Sequence, residues 1–168
     1  MTDERQRAFV ALGSNLGDRA AYLRAARQGL AALPDTALIA ASRIYETAPQ
    51  DRLDQPAFLN QVVCLETALT SAQLLAECQQ IERQSGRERL QRFAPRTLDV
   101  DILLFQDAQS DDPALTLPHP RLWQRAFVLV PLAEIWSFAV GMPDVDVPAL
   151  AQDLASRQAV ELFAEAED

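Results

Sequence analysis

A single α+β domain, built on an antiparallel sheet with two helices on one face, is predicted by three features of this 168-residue chain. Short apolar runs and segments of helical spacing follow one another as strand, helix, strand, strand, helix, strand. The two middle strands are separated by a polar, proline-interrupted loop, and the second helix opens on a recognisable capping sequence. With 49% hydrophobic residues, a chain of this length buries about two-thirds of its unfolded surface, so residues 1–168 form one domain without needing disulfides.

The elements can be justified in order. Residues 7–12 form a short apolar strand that runs into Gly13-Ser14-Asn15-Leu16-Gly17-Asp18. That stretch matches neither of the glycine-rich phosphate loops and reads as a tight strand-to-helix turn, with Asn15 or Ser14 capping the helix. Leu23, Ala26, Leu30 and Leu33 have helical spacing within residues 18–33, ahead of Pro34. Residues 37–47 form the second strand and 58–69 the third, joined by the charged loop 48–56. Thr70-Ser71-Ala72-Gln73 is a capping box for a helix whose inward stripe is Leu74, Cys78 and Ile81 and which ends at Gly86. Leu75, Gln79 and Glu82 lie on its neighbouring face, and residues 98–105 form the fourth strand. This β-α-β-β-α-β order is the ferredoxin-like pattern, a four-stranded antiparallel sheet with helices on one face. An irregular segment to Pro118, a helical stretch at 127–136 and a last helix at 147–163 complete the chain as extra C-terminal cover. On the third strand Leu59, Val63, Leu65 and Leu69 suit the helix side. Phe58, Asn60, Val62, Cys64 and Glu66 face the other way, and their mixture suits a cleft, with a merely polar outer face as the alternative.

The fourth strand carries the chemistry. Leu98, Val100, Ile102 and Leu104 share one face, whereas Asp99 and Asp101 share the other, about 7 Å apart by strand rise. Like charges at that spacing suit a hard divalent cation, and magnesium is typically held by one or two carboxylates with phosphate and water oxygens. A strand with one wet face is the alternative. What favours the metal platform is the approach to it: Arg83, Arg87, Arg89, Arg92 and Arg96 against the single acid Glu88. Guanidinium groups fork onto phosphate oxygens, so arginines beside paired acids point to a magnesium-polyphosphate ligand.

Composition excludes other classes. The net charge of −9 argues against duplex nucleic acid as a partner, and a small anion fits better. The chain has no lysine, which removes Walker A and Schiff-base chemistry. No apolar run reaches the roughly 18 residues of a membrane span, and residues 1–7 are polar, so a cytoplasmic protein is expected. Cys64 and Cys78 lack metal-ligand spacing and read as reduced, packed thiols.

Six segments then carry a resemblance. Ala11-Leu12-Gly13-Ser14-Asn15-Leu16-Gly17-Asp18, Tyr45-Glu46-Thr47-Ala48-Pro49, Gln55-Pro56-Ala57-Phe58-Leu59-Asn60, Ile81-Glu82, Pro95-Arg96-Thr97-Leu98-Asp99-Val100-Asp101-Ile102 and Pro118-His119-Pro120-Arg121 to Phe127 resemble, in order, the motifs of the 6-hydroxymethyl-7,8-dihydropterin pyrophosphokinase family of folate biosynthesis, over residues 8–136. The resemblance implies the ferredoxin-like fold and transfer of the terminal diphosphate of ATP to a pterin hydroxymethyl group, with AMP released. It implies that Asp99 and Asp101 hold two Mg²⁺ ions and that Arg87, Arg96 and Arg89 contact phosphates, joined by His119 and Arg125. Gln79, Glu82, Ile102 and Thr116 would lie at the nucleotide. Phe58 and Phe127 would stack on the pterin, Asn60 would hydrogen-bond its edge, and Thr47, Ala48 and Gln50 would read it through backbone groups. The implied partners are ATP and the pterin alone, for a monomer without nucleic-acid or membrane contacts. Departures from the family pattern fall at Ala48, Phe93-Ala94, Ala114 and Pro120, which leaves as alternatives a diverged paralogue acting on a related pterin and a non-catalytic ferredoxin-like binding module. Loops 48–56 and 83–94 are expected to close together over both substrates.

Overall fold

The computed structural model describes residues 4–48, 56–85 and 97–164. The elements are β1 (Gln6–Ser14), α1 (Arg19–Ala31), β2 (Thr36–Ala41), β3 (Ile44–Thr47), β4 (Phe58–Thr67), α2 (Ser71–Gln84), β5 (Asp99–Phe105), β6 (Ser110–Asp112), β7 (Leu115–Leu117), α3 (Ala126–Glu134), α4 (Val147–Ala155) and β8 (Glu161–Ala164). The main sheet runs β5-β1-β4-β3-β8, with β2 also on β4, and every pairing is antiparallel. Among the described residues it therefore has six strands, where the sequence predicts four.

Two local events account for the difference. The expected strand at 37–47 breaks at Ser42-Arg43 into β2 and β3, because Ser42 stays bonded to β4 by both its groups. Its N–H donates to the Val62 carbonyl at 2.9 Å, and its Oγ accepts from the Val62 N–H at 3.0 Å. The expected helix at 147–163 ends at Ala155 with Ser156 as its C-cap, and the chain returns as β8 along β3. Residues 106–117, expected to be irregular, hold the β6-β7 hairpin, in which Asp112 Oδ1 accepts from the Ala114 N–H at 2.9 Å.

Helix starts follow the side chains that can satisfy their first amides. At α2 the capping box forms as expected, with Thr70 Oγ1 accepting from Gln73 N and Gln73 Oε1 accepting from Thr70 N, at 3.1 and 2.8 Å. At α1 the cap is Asp18, whose Oδ1 accepts from Ala21 N at 3.2 Å, rather than Ser14 or Asn15. Those two are buried at the end of β1, and Asn15 Nδ2 donates to the Pro56 carbonyl at 3.3 Å.

Both faces of the sheet are packed. On one, Val10, Leu12, Leu59, Val63, Leu65, Val100 and Ile102 meet Leu23, Ala26 and Leu30 of α1 and Leu74, Cys78 and Ile81 of α2. A buried polar chain crosses this side: Arg27 Nη1 donates to Gln61 Oε1 at 2.6 Å, and Gln61 Nε2 donates to the Ser42 carbonyl at 2.7 Å. On the other face, Phe9, Val62 and Cys64 meet Ala126, Leu129 and Leu132 of α3 and Ala151 and Leu154 of α4. The expected cleft on that face is thus a second core over much of its length, and Glu66 is paired with Arg7 at 3.0 Å. The β1-β5 register shifts between Phe9 and Val10, which pair with Leu104 and Ile102 and leave Leu103 as an extra residue. That bulge turns Leu104 into the second core, away from the face shared by Leu98, Val100 and Ile102.

Burial ranks the consequences of substitution. Phe9 is fully buried and stacks on Trp136 with ring centroids 5.5 Å apart. Phe9→Ala should cost about 3–5 kcal/mol, and Thr70→Ala, which removes one exposed cap, about 1 kcal/mol. Urea unfolding of the two variants checks both the ranking and the gap.

Candidate active site

The register of three strands lays out the site. Gly13 of β1 pairs with Asn60 of β4 on one side and with Asp99 of β5 on the other. Directly paired residues share a face, so Asn60, Gly13 and Asp99 form a row spanning two strand spacings, about 10 Å. In the next row Ala11 lies between Val62 and Asp101. The middle strand therefore places almost no side-chain volume between the amide and the acids. A Cβ at Gly13 would stand 3.5 Å from Asn60 Oδ1, at the floor of the row. The sequence reading took Gly13 for a turn residue, and the available signal was a glycine continuing a strand pattern, which marks close approach.

The acid strand is held from its outer edge. Asp99 is half-buried and Asp101 exposed, while Val100 between them faces the helices. The Val100 N–H donates to Glu82 Oε2 at 2.8 Å, and Glu82 is only 4% exposed. Glu82, expected at the nucleotide, thus turns its carboxylate onto the backbone between the two acids. Ile102 likewise points its side chain into the helix-side core, which leaves only its backbone for a ligand. Gln79 lies half-buried on α2.

At the other end of the row, Asn60 Nδ2 donates to Thr47 Oγ1 at 2.9 Å, and both residues are buried. Phe58 is half-buried at the start of β4, opposite Thr47, and Ala48 is exposed just past β3. Arg19 ties the two strand ends together, its Nη1 donating to Glu46 Oε2 at 2.7 Å and to the Ala57 carbonyl at 2.9 Å. The sequence reading missed Arg19, because its partners are distant in the chain.

The C-terminal half supplies a wall. Arg125 lies over the Phe127 ring, 5.3 Å from its centroid, at the start of α3. The His119 N–H donates to the Leu103 carbonyl at 2.9 Å, which uses the bulge in β5 to fix the histidine beside the acid strand. Its Nδ1 accepts from the Arg121 N–H at 3.3 Å. Burial, followed by Arg125 and Arg121, pushes the His119 imidazole below its ordinary pKa, so the neutral form is favoured. Thr116 uses its hydroxyl on the Asp112 carbonyl at 3.1 Å. Glu134 fastens α3 to β3 by accepting from Arg43 N and Nε at 2.8 and 2.9 Å and from the Tyr45 hydroxyl. Burial and that bond push Tyr45 up to about 12, so it stays a donor.

Gln50 lies in 49–55 and Arg87, Arg89 and Arg96 lie in 86–96, outside the described residues, as do most of the two loops expected to close. Among the described residues no group of three or more His, Cys, Asp or Glu could hold a metal. The Asp99 and Asp101 pair offers hard carboxylate oxygens on one face, a donor set that fits magnesium completed by phosphate and water.

Comparison with known proteins places this geometry. The sequence is 48% identical over 77% of its length to 2-amino-4-hydroxy-6-hydroxymethyldihydropteridine pyrophosphokinase of Methylorubrum extorquens, covering 82% of that protein. It is also 48% identical over 76% of its length to the Bacillus subtilis protein of the same name, covering 77% of it. In fold it is similar to the solved Plasmodium falciparum HPPK-DHPS wild type, with a TM-score of 0.65 and 15% identity over 91% of this chain, and it spans 45% of that longer chain. Residues 9–137, which contain the row, the acid strand and the α3 wall, match the family model for 7,8-dihydro-6-hydroxymethylpterin-pyrophosphokinase, and the chain belongs to that family.

Proposed function

We propose that this protein transfers the terminal diphosphate of ATP to the hydroxymethyl group of 6-hydroxymethyl-7,8-dihydropterin in folate biosynthesis. The observation that carries the reading is the row Asn60–Gly13–Asp99, an amide and an acid about 10 Å apart on one face, which supports a pterin at the one and a metal at the other. The names of the relatives support the same activity. The order β5-β1-β4-β3, with α1 and α2 on one face, supports an elaborated ferredoxin-like layout. No helix among the described residues is long and apolar enough to cross a membrane. We read the enzyme as a cytoplasmic monomer acting on two small molecules.

The substrate hydroxyl oxygen attacks the β-phosphorus of ATP and loses its proton to solvent; the new O–P bond forms as the bond from that phosphorus to the α,β-bridging oxygen breaks, and AMP leaves with that oxygen. Asp99 and Asp101 would hold two Mg²⁺ ions, which when bound neutralise charge on the triphosphate oxygens and lower the pKa of the attacking hydroxyl. The remaining work is positioning. Phe58 and Phe127 would enclose the pterin ring in offset contact. Asn60, its Nδ2 held by Thr47, would accept from the pterin edge through Oδ1, and the backbone at Thr47, Ala48 and Gln50 would read the rest. Arg87, Arg89, Arg96, Arg125 and His119 would meet phosphate oxygens, with Gln79 and the backbone near Ile102 and Thr116 at the nucleoside.

Incubation with ATP, Mg²⁺ and the hydroxymethyl dihydropterin should release AMP, and ADP as product would overturn the reading. Asp99→Ala and Asp101→Ala should each lower kcat by roughly a hundredfold or more, since several kcal/mol of charge stabilisation depends on them. Asp101→Ala, on an exposed position, should change stability by about 1 kcal/mol or less. Near-native turnover by either variant would remove the metal platform.

A pH dependence follows from His119. Its pKa is lowered in the free protein, and an adjacent triphosphate raises it, so binding takes up a proton. ATP affinity should therefore rise as pH falls from about 8 to 6, more steeply for the native protein than for His119→Gln. Calorimetric titrations at both pH values measure the two slopes, and equal slopes would place His119 away from the phosphates.

A further inference from the structure

Glu134 fastens the far end of α3 to β3, and the near end of the wall, where Arg125 and Phe127 stand, is fastened differently. Arg125 is the N-cap residue of α3 but makes no side-chain cap hydrogen bond, and its backbone is extended, at φ −117° and ψ 112°. The helix takes the Arg125 carbonyl, which accepts from the Val128 and Leu129 N–H groups at 3.1 and 3.0 Å, whereas the Gln124 carbonyl and the Ala126 N–H on either side of Arg125 lie outside the helical ladder. Both are gripped by one side chain. Gln158 Oε1 accepts from the Ala126 N–H at 2.9 Å, and Gln158 Nε2 donates to the Gln124 carbonyl at 3.0 Å. These are the two peptide groups that flank Arg125.

Gln158 is itself fixed on both sides. Its N–H donates to the Leu154 carbonyl at 2.9 Å at the end of α4, and a few residues on, β8 pairs Leu162 with Tyr45 and Glu161 with Glu46 on β3. Thr47, the partner of Asn60, is the next residue of β3. The segment from Gln158 to Ala164 thus links the α3 wall to the strand at the far end of the row. It lies wholly outside the stretch 9–137 that matches the family model.

We propose that Gln158 is a positioning residue for the reaction: by holding both peptide groups of Arg125, it sets where the Arg125 guanidinium and the Phe127 ring stand against ATP and pterin. This rests on the functional reading above. The carboxamide suits the task because it alone among neutral side chains of this length offers an acceptor and a donor side by side.

The test compares Gln158→Ala and Gln158→Leu with Asp146→Ala. Asp146 Oδ1 caps α4 by accepting from Ala149 N at 3.1 Å, so its loss also removes a helix cap from the C-terminal region without touching Arg125. Affinities for the pterin and for a non-hydrolysable ATP analogue are titrated at 25 °C, well below each melting temperature, where a loss of stability alone leaves the affinity of folded molecules unchanged. Both Gln158 variants should weaken pterin binding by roughly five- to tenfold and raise its KM more than they lower kcat, because a preorganised contact is lost. Asp146→Ala should lower the melting temperature while binding as the native protein does. Should the Gln158 variants bind as tightly as an active native protein, or should Asp146→Ala weaken binding as much as they do, Gln158 is a structural cap and nothing more. A native protein that neither binds the pterin nor releases AMP sinks the functional reading instead, and this inference with it.

Discussion

Everything in this molecule depends on β1 being paired on both edges and buried on both faces. Nine register pairs tie it to β4, from Gln6↔Thr67 to Ser14↔Leu59, while β5 takes its other edge. A one-residue slip in either ladder would turn Val10 and Phe9 into the wrong cores and move Asp99 and Asp101 to the helix side. The hydrophobic sorting of two cores is therefore what fixes the position of two carboxylates that contribute nothing to either. Gly13 and Ala11 lie within that same strand, so the constraint that sets the register also clears the floor between Asn60 and Asp99.

A second tier of interactions converts this frame into a shaped site, and it repeatedly uses long polar side chains on backbone groups. Glu82 takes the N–H between the two acids, Arg19 takes the Ala57 carbonyl next to Phe58, and Gln158 takes both peptide groups of Arg125. Each of these groups lies at a strand edge or helix end, where the regular ladder supplies no partner. Where secondary structure stops, beside the candidate site, the backbone is held by side chains brought from elsewhere in the chain.

This division explains what could be read from the sequence. Period-two and period-3.6 patterns identified β1, α1, β4, α2 and β5, because those elements sort apolar residues between two faces. The same alternation placed Asp99 and Asp101 together, and the capping box marked the start of α2. Ser42 escaped notice because a break that keeps its hydrogen bonds to β4 leaves no composition signal. Leu104 was misplaced because a bulge shifts the alternation by one without changing a residue. β8 reads as the end of a helix in the sequence because a short edge strand beside a helix has too few residues to show a period. The hydrogen bond from Val100 N–H to Glu82 is not legible either, because resemblance to a motif says that the residue matters and not which way its carboxylate turns. The long-range fasteners were illegible for a single reason: Arg19 with Ala57, Tyr45 with Glu134 and Gln158 with Ala126 are paired only by the tertiary fold.

Exposure sets the different states in which the charged groups of the site wait for ligand. Two carboxylates about 7 Å apart repel by only about 0.6 kcal/mol where water screens them, so the acid pair can stand preformed on an open strand. Inside a core the same pair would cost many times more, which is why Asp101 is exposed and Asp99 no more than half-buried while their neighbours Val100 and Ile102 are buried. His119 is treated the opposite way. Partial burial, followed by Arg125 and Arg121, lowers its pKa and so favours the neutral form beside two arginines. On the proposed function the sheet presents negative charge to a cation, and the wall presents His119 to a phosphate. The proposed metal-bound triphosphate is a ligand that would satisfy both together, which neither a bare cation nor a bare anion would do.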